Sequence, residues 1–247
     1  MNASTPRNAI GAMAIAVMTA AVMTGCHRAE HQAEQAAAQA AAQEDAARQG
    51  EAAFDAAVAA QNWSAAKAQG DVLLMQYPRT SAAQRVTAQM DAVRAKASAA
   101  REEARTAALW NYTRVAVDGG TQRAATIDST QPVDVDGSGA KPVQLVFRDH
   151  PSWGRSAYLV LQAGDFNCYG GCNVQVTVDD GAAVAMSASR PKTHEAIAMF
   201  IEDERALWRM VLGAKTLSIE FPVKPKGTRT AVFEVGGVDH EQFPGWY

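Results

Sequence analysis

The spacing of hydrophobic positions changes along the chain and divides it into three parts. Residues 9–22 form an almost unbroken apolar run. Over residues 51–108 the apolar positions recur every three or four residues, which is the spacing of helices that bury one face. Beyond Trp110 they alternate with polar positions, as in Cys172–Val178 and Leu217–Phe221, which is typical of strands with one buried face. The pattern therefore predicts helices first and antiparallel strands second.

Breaks in the helical spacing predict where the helices begin and end. Gln61-Asn62 and Tyr77-Pro78 interrupt the pattern, so one helix surrounds Phe54, a second follows from Trp63, and a third covers about residues 81–108. The third helix carries a seam of heptad spacing whose second half is alanine alone. The seam either packs on the preceding helices or joins two copies of the chain as a homodimer. Its residues are Val86, Met90, Val93, Ala97, Ala100, Ala104 and Ala107.

Residues 62–80 resemble the second half of a tetratricopeptide repeat. Pro78 follows the small residue Ala66 by twelve positions, as the terminal proline does in that repeat. The ending Tyr77-Pro78-Arg79-Thr80 is similar to repeats of outer-membrane-assembly lipoproteins. Stacked repeats need about three copies for stability, and the sequence has one. The resemblance therefore implies a single helical hairpin over residues 46–108.

Short turn sequences separate the strands of the second half. Asp-Gly and Gly-Gly pairs recur at 118–120, 136–139, 180–181 and 236–237. Many short strands at this spacing favour a β-sandwich over residues 110–247, interrupted by one short helix near 203–212. The predicted fold class is α+β with several domains: an N-terminal α-helical hairpin or coil, then an antiparallel β-sandwich with one short helix.

Two stretches of this half resemble small periplasmic sandwich domains of proteobacteria. The first runs from Phe166-Asn-Cys168 to Asp180-Gly181, and the second from Met199-Phe200-Ile201 to Val238. The invasion-associated-locus-B-like and type VI accessory proteins are of this kind. The resemblance implies a sandwich fold and a periplasmic location.

The N-terminal apolar run has the features of a secretory signal, with one basic residue before it and small residues at its end. Met23-Thr24-Gly25-Cys26 resembles the lipobox of bacterial lipoproteins, in which cleavage precedes the cysteine and its sulfur carries diacylglycerol. The resemblance implies a signal peptide at residues 1–25, acyl chains such as palmitate on Cys26, and an Ala/Gln-rich tether at 26–45. By lipoprotein sorting rules, His27 favours the outer membrane, with the domains in the periplasm. An ordinary signal followed by an unmodified cysteine is the alternative.

The three cysteines of the chain are accounted for by this interpretation. If Cys26 carries lipid, Cys168 and Cys172 remain as a pair in an oxidising compartment, and the two glycines between them permit a tight turn. We expect a structural disulfide. A redox pair or half of a metal site is the alternative, although redox pairs are more often spaced as C-x-x-C.

Charge and composition exclude two classes of protein. A net charge of −3 excludes a strongly basic nucleic-acid binder, so no nucleic-acid partner is expected. Apolar runs of 18 residues are absent beyond the N-terminus, which excludes a polytopic membrane protein. Of the 52 alanines, 37 lie in residues 1–110, so the helical and strand-rich parts differ in composition as well as pattern.

Candidate chemistry in the sequence is sparse. Asp149-His150 lacks a serine in a nucleophile turn, and neither His194 nor His240 belongs to an H-E-x-x-H pattern. A calcium-like loop begins at Asp134 but has Leu145 where a carboxylate is required. We therefore expect no enzyme, no cofactor and no metal. The candidate binding residues are aromatic, with core or rim packing as the alternative for each: Trp153, Tyr169 and Trp246.

These observations together predict a lipid-anchored cell-envelope protein that acts as a protein-interaction or assembly module. Its partners would be the membrane, through lipidated Cys26, and other envelope proteins. Two alternatives remain open. One is a binder of peptidoglycan or another envelope polymer, and the other is an enzyme or inhibitor that uses loops near His150, Trp153 and Tyr169.

Overall fold

The computed structural model describes residues 18–191, 197–225 and 227–246, with side chains from residue 28 onward. Most of the predicted signal peptide lies outside these residues, as do His194 and the side chain of Cys26. Two compact units divide the chain, Met1–Ser98 and Ala99–Tyr247. The first is helical and the second is rich in strands, so the fold class is α+β. Within the described part of the chain, no helix is long and apolar enough to cross a membrane.

Three helices make up the helical unit: α1 spans Met18–Ala59, α2 spans Trp63–Gln76, and α3 spans Ser81–Ala107 and continues into the second unit. The side chain of Asn62 caps α2 by accepting a hydrogen bond from the backbone N–H of Ala65 at 3.1 Å. The boundaries between the helices fall close to the breaks that the sequence predicts, but α1 begins at Met18, far before the helix expected around Phe54, and includes the segment 26–45 expected to form a tether.

Small side chains let the three helices pack closely. A Cβ atom at Gly70 would overlap the sulfur of Met90, so α2 and α3 approach there at a distance that only glycine permits. Side chains 28–43 of α1 are exposed, and Ala47 is the first buried residue among the described side chains. The core of the unit consists of Phe54, Ala66, Leu73, Ala83, Val86, Met90 and Val93.

The heptad seam of α3 is buried only in its first half. Val86, Met90 and Val93 lie in the helical core, whereas Ala100 and Ala104 are exposed. Packing on the preceding helices therefore accounts for the larger residues and not for the alanines. The homodimer that this seam suggests stays a prediction.

Nine strands form one sheet in the order β1-β2-β3-β4-β7-β6-β5-β8-β9, and every neighbouring pair is antiparallel. Helix α4, Glu204–Gly213, lies between β7 and β8 in the sequence. The strands are β1 Trp110–Val117, β2 Gly120–Asp128, β3 Gln144–His150, β4 Gly154–Val160, β5 Cys172–Val178, β6 Val184–Ser189, β7 Ala198–Ile201, β8 Leu217–Pro222 and β9 Thr228–Phe233.

The sheet curls so that its two ends meet over a shared core. Near β1, the indole Nε1 of Trp110 donates to the backbone oxygen of Val235, 3.3 Å away. The backbone N–H of Thr130, just after β2, donates to Val232 on β9 at 2.7 Å. The curled sheet thus encloses one apolar core in the manner of a sandwich.

The C-terminal tail packs into this core. Phe243 and Trp246 are each 1% exposed. The ring of Trp246 lies 5.6 Å edge-on from Phe147 and 5.5 Å from Trp208 of α4. Trp246, which the sequence offers as a binding residue, therefore lies inside the domain and not on a surface, because the tail needs to bury its aromatic rings.

Candidate functional site

The outer face of the β3–β4 hairpin carries aromatic and basic side chains together. Phe147 and Leu159 point into the core, so their sequence neighbours Arg148 and Tyr158 point outward. Ser156 lies directly opposite Arg148 in the antiparallel register and shares its face. The alternation that builds the core thus places these groups side by side on the outside.

The turn of this hairpin holds an exposed tryptophan in a fixed position. The Nδ1 atom of His150 accepts hydrogen bonds from the backbone N–H groups of Ser152, at 3.1 Å, and Trp153, at 3.3 Å. The two rings stack with centroids 3.9 Å apart and an angle of 13° between their planes. Trp153 is nevertheless 72% exposed, whereas His150 is buried. The histidine acts as a platform that orders one face of the tryptophan and leaves the rest to solvent.

Some basic and polar groups next to Trp153 have hydrogen-bonding atoms without a partner in the described part of the chain. The guanidinium carbon of Arg148 lies 5.4 Å from the ring centres of both Trp153 and Tyr158. The Arg148 Nε and the Ser156 hydroxyl are buried atoms that find no hydrogen-bond partner in the described part of the chain. Burial raises the pKa of Tyr158, and the charge of Arg148 offsets part of that rise. Arg148, His150, Trp153, Ser156 and Tyr158 are called the Trp153 patch below.

The Asp149-His150 pair, which the sequence offers for acid–base chemistry, is split between two faces. Adjacent residues of a strand point in opposite directions, and the structure gives the two side chains no hydrogen bond to each other. The Nδ1 atom of His150 is occupied by the two backbone donors of its own turn. His150 is thus built into the turn and serves to position Trp153.

A disulfide closes the loop that carries the second candidate, Tyr169. The sulfur atoms of Cys168 and Cys172 are bonded at 2.01 Å, with the Cα atoms 5.1 Å apart. Gly170 and Gly171 between them adopt φ values of +84° and +102°, which other residues rarely reach. The tight turn therefore depends on the two glycines that separate the cysteines.

Two cationic side chains of the same domain lie over the ring of Tyr169. The Lys224 ammonium lies 4.0 Å from the ring centre and the Arg190 guanidinium 4.8 Å. The carboxylate of Asp165 accepts from the Tyr169 hydroxyl at 3.2 Å, from Lys224 at 3.1 Å and from the Arg190 Nε at 2.5 Å. Burial alone would raise the pKa of Asp165, but the hydrogen bonds from Lys224 and Arg190 outweigh it and lower this pKa. Tyr169 fastens its loop to the domain and is 40% exposed, with two cations of the chain over its ring.

The side chain of Cys26 lies outside the described side chains, so its lipidation stays a prediction. Among the side chains that are described, no group of three or more histidine, cysteine, aspartate or glutamate residues could hold a metal ion.

Comparisons with known proteins find one remote likeness. No family model and no curated protein matches the chain. The crystal structure of invasion associated protein B from Bartonella henselae is similar to it over 52% of this chain and 84% of the other, with 14% sequence identity and a TM-score of 0.34. A likeness this weak carries no inference about function.

Sequence reasoning identified Trp153 and named His150 beside it, but it missed Arg148 and Ser156. Arg148 and Ser156 had a usable signal, because alternation from the buried Phe147 places even-numbered residues of β3 on the outer face. The stacking of Trp153 on His150 had no such signal. It depends on the geometry of the turn, which periodicity does not encode.

Proposed function

We propose that the protein is a lipid-anchored envelope protein whose strand-rich domain binds another protein through the Trp153 patch, without catalysing a reaction. The observation that carries the proposal is that Trp153 is 72% exposed and yet fixed by His150. A partner that covers this ring has little side-chain motion left to suppress, so ordering costs less of the binding energy. Tryptophan is also enriched among the residues that dominate binding at protein interfaces.

The polar groups of the patch favour a partner with a hydrogen-bond acceptor beside an apolar side chain. The charged guanidinium of the half-buried Arg148 lies directly next to the apolar surface of Trp153. A carboxylate or backbone carbonyl of the partner would pair with this guanidinium, because hydrogen bonds from a charged donor are stronger than neutral ones. An apolar core with a few directed polar contacts is the usual composition of a protein interface.

Membrane attachment is the second part of the proposal, and the lipobox-like sequence ending at Cys26 supports it. The exposed side chains 28–43 have the character of a spacer that would separate the anchor from the packed helices. We expect acylated Cys26 to hold the protein on the outer membrane, with its domains in the periplasm.

Attachment is tested by cell fractionation and palmitate labelling of the Cys26→Ala variant. The variant should lose the label and move to the soluble periplasmic fraction. A Cys168→Ala, Cys172→Ala double variant is the matched control, because it also removes cysteines but should keep the label. Membrane retention of Cys26→Ala would contradict the proposal.

Binding through the patch is tested by photo-crosslinking in cells. A photoreactive residue at the exposed Ser152 should give discrete protein adducts that mass spectrometry identifies. Adding Trp153→Ala should lower their yield at least about tenfold, as expected for a central interface residue. The matched control is Val232→Ala, which removes an apolar side chain that is 39% exposed on β9 of the same domain and should leave the adducts unchanged.

Other outcomes of these experiments would favour the alternatives. Glycan fragments bound at Ser152 in place of protein would indicate an envelope-polymer binder. Turnover of an envelope substrate by the purified protein would indicate an enzyme. Adducts that are equally abundant with and without Trp153 would place the interface elsewhere.

A further inference from the structure

A second surface of the strand-rich domain lies beside β6, where pairing between β6 and β7 stops before the first half of β6. Residues 184–188 of β6 pair with β5, but on the other side only Ala188 and Ser189 pair with β7. One further hydrogen bond joins the two segments, from the backbone N–H of Glu202 to the oxygen of Ser187. The chain after β7 then turns away and begins α4. The first half of β6 is therefore left with an open edge.

The open edge has a free backbone donor and acceptor at Ala185. In an antiparallel ladder, residues two apart direct their N–H and C=O groups to the same side. The oxygen of Ser187 faces β7, so both polar backbone groups of Ala185 face the same way, where β7 has already ended. No partner for them occurs in the described residues, and residues 182–185 are exposed.

Protective features of edge strands are missing from this segment. Natural edges usually carry charged side chains or proline that prevent pairing with another chain. The sequence of β6, Val-Ala-Met-Ser-Ala-Ser, contains neither. A short, uncharged and exposed edge is a suitable template for the addition of one more strand.

A groove runs beside this edge, between β6 and α4. Its volume is about 500 Å³, within the range of sites that hold a small ligand or a side chain. Its apolar lining comes from Val184 and Met186 of β6 and from Met210 of α4, and Val184 is 47% exposed. Carboxylates line it as well, at the exposed Glu202 and at Asp203. The Asp203 carboxylate also accepts the backbone N–H of Ala206 at 2.9 Å, which fixes it at the start of α4.

We propose that an extended, basic peptide segment of a partner protein adds to β6 as a strand and places a lysine or arginine side chain in this groove. Its backbone would pair with the N–H and C=O of Ala185. The methylene groups of the basic side chain would lie along Met186 and Met210, and its charge would meet Glu202. This interaction is separate from the Trp153 patch and goes beyond the proposed function.

Charge also disfavours a second copy of the chain as the occupant. Two β6 strands that paired with each other around Ala185 would bring Glu202 of one copy towards Glu202 of the other. Like charges brought together at an interface oppose association, whereas a basic segment is attracted.

The test uses the full chain and two synthetic peptides of alternating threonine and valine, one with a central lysine and its twin with a central glutamate. Fluorescence anisotropy measures the affinity of each labelled peptide. The lysine peptide should bind at least about tenfold more tightly than its twin. Equal affinities, or no binding of either peptide, would overturn the proposal.

Two variants locate the binding. Ala185→Pro removes the N–H that faces the open side, where proline is tolerated in an edge strand, and should weaken binding of the lysine peptide at least about tenfold. Glu202→Lys leaves the backbone intact and should remove the preference for the lysine peptide, because Asp203 then faces an added cation. It keeps the test decisive if the proline variant fails to fold. Unchanged affinity and preference in a folded variant would overturn the proposal.

Two further measurements separate this inference from its rivals. Trp153→Ala should leave peptide affinity unchanged, so the outcome does not depend on the function proposed for the Trp153 patch. Sedimentation of the full chain and of Ala185→Pro shows whether a dimer forms at higher concentration and whether it depends on this edge. We expect no such dimer. Such a dimer would overturn the proposal in favour of pairing between two copies.

Discussion

The helical unit and the strand-rich unit bury their apolar side chains on different scales. Among the described residues, the helical core has seven buried side chains and Phe54 is its single aromatic ring. The strand-rich core has 31, including the mutually packed rings of Phe147, Trp208, Phe243 and Trp246. Because buried apolar area supplies most of the folding free energy, the helical unit depends on far fewer contacts.

The two units are also fastened differently at their surfaces. Arg85 of α3 makes two 2.6 Å hydrogen bonds to Glu51 of α1, and Asp71 of α2 binds both Lys67 and Arg94 at 2.8 Å. The strand-rich unit instead has a disulfide and the ion pairs of the partly buried Asp165 described above. Ion pairs exposed to water contribute little to stability, so we expect the helical unit to unfold first and separately.

The largest effect is expected from Phe54→Ala. Removing a buried phenylalanine costs about 3–5 kcal/mol, and a core this small supplies about that much in total. The helical unit should therefore unfold while the strand-rich unit stays folded. Hydrogen exchange with mass spectrometry should show lost protection over residues 46–98 and unchanged protection over 110–246.

The matched control for Phe54→Ala is Met75→Ala, which removes a side chain that is 73% exposed in the same unit. This control should change the unfolding free energy by less than about 0.5 kcal/mol. If Phe54→Ala also removed protection from the strand-rich unit, the two units would not be independent.

A smaller effect is expected from removing the disulfide, and it should appear in the other unit. For a loop of about five residues, the chain-entropy model gives a loss of about 2 kcal/mol. The Cys168→Ala, Cys172→Ala double variant should lower the denaturant midpoint of the tryptophan fluorescence of the strand-rich core and leave helical circular dichroism unchanged. Reducing agent should lower the wild-type midpoint equally and have no effect on the double variant. A shift in the helical transition would contradict this separation.

Sequence alone predicted the elements whose burial is regular. Strands β5 and β8 alternate large apolar and polar residues, and the structure buries the predicted faces. Strands β1 and β6 were not predicted. β1 is mostly exposed along its length, and the apolar residues of β6 are mainly small, so neither alternates clearly. Their pairing is determined by neighbouring strands that lie far away in the sequence.

The candidate sites were predictable to a smaller extent, because each depends on contacts between distant segments. Trp153 could be identified as an aromatic residue in a turn, and the bonded pair Cys168–Cys172 from the cysteine count. Sequence offered both the exposed Trp153 and the buried Trp246 as binding residues, since each lies beside a glycine, although the tail around Trp246 is poor in polar residues. The groove beside β6 exists only because β7 is four residues long, which no local pattern indicated.

A change of about 1 kcal/mol is expected from Asn62→Ala. The Asn62 side chain caps α2, and loss of such a cap typically costs that amount. Chemical denaturation followed by circular dichroism should show a lower midpoint for the helical transition. Asn62→Asp is the matched control, because aspartate also caps helices well and should keep the midpoint. If alanine and aspartate gave the same midpoint, the cap would contribute nothing to the unit.

The smallest effect is expected from Glu51→Gln, which keeps the size of the side chain and removes its charge. Hydrogen bonds from Arg85 lower the pKa of Glu51 from its ordinary value of 4.5. A lowered pKa in the folded state means that the ion pair stabilises the unit above pH 4.5 and that this contribution is lost as the pH falls through the lowered value. Wild type and variant should therefore differ slightly in midpoint at pH 7 and converge in acid. They should also converge in 1 M salt, where the screening length is about 3 Å. Asp55→Asn on the same helix is the control, because Asp55 acts on Arg85 through charge without a hydrogen bond to it among the described residues and should give a smaller difference. A Glu51→Gln difference that persisted in acid and in high salt would assign the stabilisation to packing and not to charge.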